Sequence, residues 1–504
     1  MHQKSVRFVM ASAVILSFFP LLLGMVLQDE RFIFSGFVLN PIDGYSYLAK
    51  MQIGIRGEWL FQLPYTAQEG GGAYLFLFYI FLGHLSRIFQ SSPVVIFHLA
   101  RFVAVVFFVY STQRFLDSIH SPWLKSTSAC LSALIFFGSG LGWLAGPLGL
   151  FTMDFWVAEA YPFLTMLANP HFPLGMGLLL VYFTNLQKYH KKISWFDPIL
   201  GVGIAIVLPF GVIVGIAVTL FFIFCNWFFR KLFFWKYPVA VYAPAGLVLA
   251  YQYIATLSDP FLSNWNLQNQ TPTPSLFIFF LSFSPLLLFA LIGVVRVVLE
   301  RRNSEYYLVM GWFLSGLLLA YFPFALQRRF LLGFLIPAGV MSIIGLGRIV
   351  RENFSKFSQF FWIIFPVSVL TNVFILWGAF QAMINRDPNL FLKAGEVQVL
   401  EWLDKNICKE RPVVLAPPDI SLKIPAFSAC RVIYGHPFET ANADEMLQYV
   451  ESIYGEQRGT AFEIEGISVD YMIIPRESAS LENWAIHSGK IIFQNSEYSV
   501  LKLQ

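Results

Sequence analysis

Residues 8–27 read FVMASAVILSFFPLLLGMVL, twenty consecutive positions without a charge. At 1.5 Å per residue such a helix is ~30 Å long, the thickness of a bilayer's hydrocarbon core. Lys4 and Arg7 precede it, and basic residues gather on the cytoplasmic side, so the N-terminus is expected inside. No small-x-small cleavage site follows the run, which therefore reads as a retained signal-anchor helix.

The rest of the chain repeats this pattern. It has 504 residues, of which 57% are hydrophobic and 13% charged, with a mean hydropathy of +0.63; a soluble domain has about a quarter charged residues. Further apolar runs lie at 94–111, 126–144, 174–186, 238–256, 276–295, 306–322, 331–347 and 359–381. The stretch 199–227 is too long for one upright helix, and Pro209-Phe210-Gly211 near its middle divides it in two. The count is about 11 spans, which puts the C-terminus outside. Arg114, His120 and Lys125, then Lys188, His190, Lys191 and Lys192, then Arg230, Lys231 and Lys236, then Arg296, Arg301 and Arg302, and finally Arg348, Arg351 and Lys356 all fall on cytoplasmic turns in this scheme. Arg328-Arg329 is the exception.

The expected fold is thus an α-helical polytopic membrane protein with a small C-terminal extracytoplasmic α/β domain. The membrane domain covers 1–385, with external loops at 28–93 and 146–173, and the C-terminal domain covers 391–504. Within the first loop, the short apolar run 73–89 carries His84 and Arg87 and reads as an interfacial or re-entrant helix. In the tail, helices are expected at 396–406 and 444–454. Short strands are expected at 413–415, 432–434, 471–474, 491–493 and 500–503, giving a partly parallel sheet. Ala416-Pro417-Pro418-Asp419 follows the first of these strands where a nucleotide-binding glycine fingerprint would stand, and nothing points to nucleic acid. Cys408 and Cys430 are the tail's two cysteines; in an extracytoplasmic domain they either pair or lie as separate buried thiols.

The candidate chemistry clusters at the external face. Asp43, in Asn40-Pro41-Ile42-Asp43-Gly44-Tyr45, is a carboxylate just beyond the first span, placed to deprotonate an acceptor hydroxyl as general base or simply to cap a turn. Lys50, about two turns further along the same amphipathic segment, is a candidate substrate contact. The 146–173 loop holds Asp154, Glu159 and His171 among Phe151, Phe155, Trp156, Tyr161 and Phe163; aromatic faces stack on sugar C–H surfaces while carboxylates accept sugar hydroxyls. With Asp43, Asp154 and Glu159 are also the oxygen ligands that a divalent cation such as Mg²⁺ or Mn²⁺ would use. Arg328-Arg329, positive where the bias disfavours it, suits an anionic ligand, since guanidinium grips phosphate bidentately. Arg101 and His98 sit inside an apolar run; a charge there needs a partner or a polar cavity.

Together these features resemble the GT-C superfamily of polytopic glycosyltransferases, which includes protein mannosyltransferases and the aminoarabinose transferases of lipid A. Asp43-Gly44-Tyr45-Ser46-Tyr47-Leu48-Ala49 with Gly57-Glu58-Trp59 is similar to that family's Asp-x-x-Tyr-x-x-x-Ala segment with its downstream Gly and aromatic. The stretch from Gln327-Arg328-Arg329-Phe330 to Ile336-Pro337 is similar to its Arg-Tyr-x-x-x-x-x-Pro segment. The resemblance implies a plasma-membrane enzyme, bacterial in setting, that passes a hexosyl or pentosyl group from a polyprenyl-phosphate-linked sugar to a lipid, glycan or protein acceptor at the outer face. It implies Asp43 as base, Arg329 with Arg328 on the lipid phosphate, and Glu159, Asp154 and His171 orienting sugar or acceptor. Gly44 stands where the family commonly has a second acid. A transporter or flippase, or a non-catalytic assembly protein, is the reading from another class; it would thread polar groups through the bundle, where only His98 and Arg101 lie.

Overall fold

The computed structural model describes residues 2–68, 70–188, 192–300, 304–455, 467–477 and 489–503. Of the basic residues named above, His190, Lys191, Arg301 and Arg302 lie outside them. The chain divides into two compact units that do not follow chain order. The first is Met1–Pro20, Leu99–Ala250 and Thr271–Gln381; the second is Leu21–His98, Tyr251–Gln270 and Ala382–Gln504.

Among the described residues, five helices are long and apolar enough to cross a membrane: Gln3–Leu27, Pro93–Ser118, Pro209–Arg230, Lys236–Ser258 and Phe354–Ile384. Two bent pairs would raise this to seven, and they correct two runs expected to be continuous. Ser128–Phe137 and Gly142–Leu148 meet at 41°, and Leu276–Phe283 and Leu286–Leu299 at 89°. The second break is at Ser284-Pro285, where Pro285 has no N–H to continue the helix and Ser284 is extended. The first break brings Gly140 onto it: a Cβ there would lie 2.0 Å from the Ser282 carbonyl. The 199–227 stretch is two helices, Phe196–Val207 and Pro209–Arg230, parted at Leu208. Small residues let helices of the first unit touch backbone to backbone, as membrane helices do. A Cβ on Gly293 would meet Met341 O at 2.1 Å, and one on Gly345 would meet Phe289 O at 2.0 Å.

Among the described residues, the second unit holds seven short strands. Strands β1 (Phe32–Phe34) and β2 (Phe391–Lys393) pair antiparallel, with Phe34 opposite Phe391. Ser35 N–H to Leu390 O (2.8 Å) and Ala394 N–H to Arg31 O (2.9 Å) extend the pairing at either end. The remaining strands are β3 (Val413–Leu415), β4 (Arg431–Val432), β5 (Tyr471–Pro475), β6 (Gly489–Gln494) and β7 (Tyr498–Leu503). They form one sheet in the order β4-β3-β5-β7-β6, parallel across β4, β3 and β5 and antiparallel across β5, β7 and β6. Helix Ala443–Tyr454 buries Val450 and Ile453 in the same apolar cluster as Val413, Leu415, Met472 and Leu501. Strand β4 stops at Val432, short of the expected Tyr434, because Thr440 Oγ1 accepts from the backbone N–H groups of Gly435 (3.3 Å) and His436 (3.2 Å) and turns the chain.

Cys408 and Cys430 are joined as a disulfide, 22 residues apart, which decides the alternative left open by the sequence. Closing a loop of that length in the unfolded chain is worth about 3 kcal/mol. Cys408→Ser is therefore expected to lower the unfolding midpoint of the full-length protein by several degrees, and a reductant should lower the wild type to match it.

The segment between the first two long apolar helices belongs to this unit too. Helices Pro41–Arg56 and Leu77–Phe89 cross with no side chain between them: a Cβ on Gly54 would sit 2.0 Å from Ile80 O, and one on Gly83 would sit 2.0 Å from Met51 O. Since backbone cannot give way as a side chain can, Gly83→Ala is expected to cost about 1–3 kcal/mol, the range for an overpacked core. Gly246→Ala, with nothing within 4 Å, should leave the melting temperature unchanged or slightly raised.

Candidate active site

Asp43 occupies the first turn of helix Pro41–Arg56. Pro41 starts that helix because its fixed φ and missing N–H suit the first position. Asn40 precedes it with φ 52°, a left-handed conformation that Asn tolerates better than most residues. Its side chain does not cap the helix; instead Asn40 Nδ2 donates to Asp43 Oδ2 at 2.5 Å. The helix N-terminus adds a favourable field for the carboxylate. The Asp43 side chain is 38% exposed, and its other oxygen, Oδ1, faces His436 Nε2 at 3.7 Å. The neighbouring Gly44 has a physical reason: a Cβ there would lie 2.4 Å from the Phe37 ring, so the second acid common in the resembling family has no room.

Lys50 is placed differently from the expected substrate contact. Its side chain is wholly buried, and Nζ donates to Glu439 Oε1 at 2.6 Å and to Ser46 Oγ at 2.7 Å, with the Phe76 ring 4.5 Å away. With its charge matched by a buried carboxylate, it ties the helix to the 435–440 turn. Burial opposes ionisation of Glu439, yet Lys50 and His436 hold its carboxyl below the ordinary value.

In the first unit the 146–173 loop is exposed around Leu148 and Phe151 but packed from Thr152 onward. Asp154 is fully buried. Its Oδ2 accepts from the backbone N–H of Gly140 (2.9 Å) and Gly142 (3.1 Å), and its Oδ1 accepts from Thr152 Oγ1 (2.6 Å). That is a loop-fixing acid, which differs from the expected sugar-facing one because its acceptor sites are spent on backbone. Glu159 is also buried, and its carboxylate lies 3.7 Å from Arg329 Nη1. Gly333 N–H donates to Glu159 O at 2.8 Å, and Leu335 N–H to Ala160 O at 3.2 Å, so the loop and the double-arginine segment are brought together. Arg329 also lies over Phe210 at 5.7 Å, and Arg328 over Trp156 at 4.3 Å. His171 is buried in the first turn of helix His171–Leu186 beside Phe172. Arg101 is buried with Nη1 donating to Leu167 O and its guanidinium 4.4 Å from the Phe18 ring. A cavity of about 380 Å³ in this unit is lined by Arg114, His120, Lys188 and Arg230 with Asp117 and Glu305; none of the expected site residues lines it.

Among the described residues, no three His, Cys, Asp or Glu side chains gather in a metal-ligating group. The proposed oxygen ligands do not fit a divalent cation: Asp154 already accepts three hydrogen bonds in a closed turn, and Glu159 is turned to a guanidinium.

Three residues of the Asp43 neighbourhood were not singled out from the sequence: Asn40, His436 and Glu439. Gly435-His436-Pro437 follows the end of a parallel strand, the edge at which α/β sheets commonly place ligands, and that was the signal available.

No family model matches the sequence, and no curated protein matches it. Solved structures do. The chain has the fold of the GT-C polytopic glycosyltransferases. The oligosaccharyltransferase of Archaeoglobus fulgidus in its apo form matches with a TM-score of 0.50 at 12% identity, covering 94% of this chain and 70% of that one. The same enzyme, AglB, in complex with an inhibitory peptide and a dolichol-phosphate matches at 0.48 and 13%, covering 95% and 71%. ArnT from Cupriavidus metallidurans bound to undecaprenyl phosphate matches at 0.46 and 10%, covering 97% and 98%. At these identities the likeness is one of fold.

Proposed function

We propose that this chain is a membrane glycosyltransferase that moves a hexosyl or pentosyl group from a polyprenyl-phosphate donor to an acceptor at the outer face of a bacterial plasma membrane. The observation that carries this reading is the state of Asp43. Of the three acids expected at the external face it is the one with an exposed carboxylate, aimed by Asn40 on one oxygen and faced by His436 on the other.

In the proposed step, an acceptor hydroxyl oxygen forms a bond to the anomeric carbon as the bond from that carbon to the donor phosphate breaks. Asp43 takes the hydroxyl proton. The phosphate leaves with the bonding electron pair, and Arg329, helped by Arg328, stabilises its charge. Glu159 holds Arg329 in place, and His171 and Arg101 are further residues of the substrate site in this reading. In this reading the N-terminus is cytoplasmic and one long apolar helix, Gln3–Leu27, precedes Asp43, which supports an outer-face position for that acid.

The test is transfer of label from a panel of radiolabelled undecaprenyl-phosphate hexoses and pentoses in membranes containing the protein. Transfer by the wild type and none by Asp43→Asn supports the reading. Transfer that survives the substitution removes Asp43 from the base role, and consumption of no donor by the wild type counts against the enzyme.

A further inference from the structure

His436 has an unusual position for a histidine of a small sheet domain. It follows β4 in a turn whose start is crowded: a Cβ on Gly435 would lie 2.6 Å from the Tyr65 ring. The imidazole is 2% exposed. Phe438 N–H donates to its Nδ1 at 3.1 Å, so a neutral ring carries its proton on Nε2. That buried Nε2 has no hydrogen-bond partner, and an unsatisfied buried N–H costs about 1–3 kcal/mol. The acceptor it faces is Asp43 Oδ1 at 3.7 Å, too far for a hydrogen bond and close enough that a shift below 1 Å would make one. Catalytic contacts of this kind are commonly long without substrate and tighten with it. The groups around the ring are few: Asp43 from helix Pro41–Arg56, the Tyr65 ring at 5.6 Å, and Glu439 of the same turn, whose charge is matched by Lys50.

We infer that His436, supplied by the C-terminal domain, is the positioning residue for Asp43: its Nε2–H closes onto Oδ1 and, with Asn40 on Oδ2, fixes the carboxylate in the orientation that accepts the acceptor's proton. The inference rests on Asp43 acting as the base. It makes the C-terminal domain part of the catalytic apparatus and not only a cover over it. The 435–440 turn, held by Lys50 through Glu439, is the arm that delivers the ring.

Two measurements on the full-length protein in lipid nanodiscs test this. The first is kinetic, using whichever undecaprenyl-phosphate sugar the panel shows to be consumed. His436→Ala is expected to lower kcat at least tenfold with the donor KM within threefold of wild type, and His436→Gln, whose amide N–H can reach the same oxygen, to recover to within threefold. A purely structural histidine would not split kcat from KM or be rescued by glutamine. If Asp43→Asn abolishes transfer while His436→Ala stays within twofold of wild type, the inference fails and the base assignment stands. If Asp43→Asn is active, both fail.

The second needs no donor. Exchange of the His436 ring N–H with water is followed by proton–nitrogen NMR in wild type and in Asp43→Ala, which removes both carboxylate oxygens. A proton that closes onto Oδ1 is held back from exchange, so exchange is expected to be several-fold faster in Asp43→Ala. Equal rates overturn the inference, whatever the transfer assay shows.

Discussion

Asp43→Asn is expected to reduce sugar transfer by about a hundred- to ten-thousand-fold, the contribution typical of a positioned general base. The substitution is nearly isosteric, and position 43 is at the surface of its helix. The fold should therefore survive, with an unchanged melting temperature and an unchanged donor KM. What is lost is the lone pair that takes the proton. The amide would also present an N–H to His436 Nε2–H or to Asn40 Nδ2, setting donor against donor where the carboxylate accepts from Asn40 and faces the imidazole. The loss should thus fall on kcat, read under saturating undecaprenyl-phosphate sugar. Arg329→Ala should differ: the guanidinium is expected to meet donor phosphate in both ground and transition states, so KM and kcat should both suffer.

The second large effect is on stability. Lys50→Met removes the ammonium and leaves the buried Glu439 carboxylate accepting from Ser46 Oγ at 2.7 Å. Breaking one partner of a buried ion pair costs about 3–5 kcal/mol, and here the loss should loosen the 435–440 turn. Lys50→Met combined with Glu439→Gln should recover much of it, since the uncompensated charge is then gone. Thermal unfolding of the wild type, the single variants and the double variant measures the coupling. The pair also sets a pH dependence. Glu439 is held below its ordinary value of 4.5. A carboxyl whose folded value lies below its unfolded one stabilises the fold fully above the unfolded value and ceases to do so as pH falls through the folded one. Wild-type stability should therefore decline in acid below about 4.5, and Lys50→Met should flatten that decline.

The apolar runs were legible because a helix in lipid must satisfy its own backbone hydrogen bonds and face lipid with apolar side chains. The tail's strands were legible from short β-branched runs between turn residues, as in Val413–Leu415. The two helix breaks were not: proline inside an apolar run, as at Pro285, bends some membrane helices and ends others, and the break at 138–141 shows only in the packing of Gly140 against the Ser282 carbonyl. Asp154 and Asp43 look alike in sequence, a single acid near aromatics. One spends its oxygens on backbone N–H groups and the other keeps them at the surface, a difference set by contacts 12 to 14 residues away. The Lys50 partner lies 389 residues further on, beyond any local pattern. Gly44 read as a departure from the expected motif until Phe37 supplied the steric reason.

The β1–β2 ribbon has a bearing on biosynthesis. β1 is synthesised directly after the first apolar helix, but the strand it needs begins at Phe391. At about 5–20 residues per second, ribosomal elongation leaves it waiting on the order of 20–70 s. Throughout that interval the nascent chain displays an unpaired edge of Phe-Ile-Phe, a ready target for chaperones or for mispairing. Products terminated before Phe391 never hide it. A quality-control protease that recognises this edge could therefore tell unfinished chains from finished ones without inspecting any of the membrane helices between.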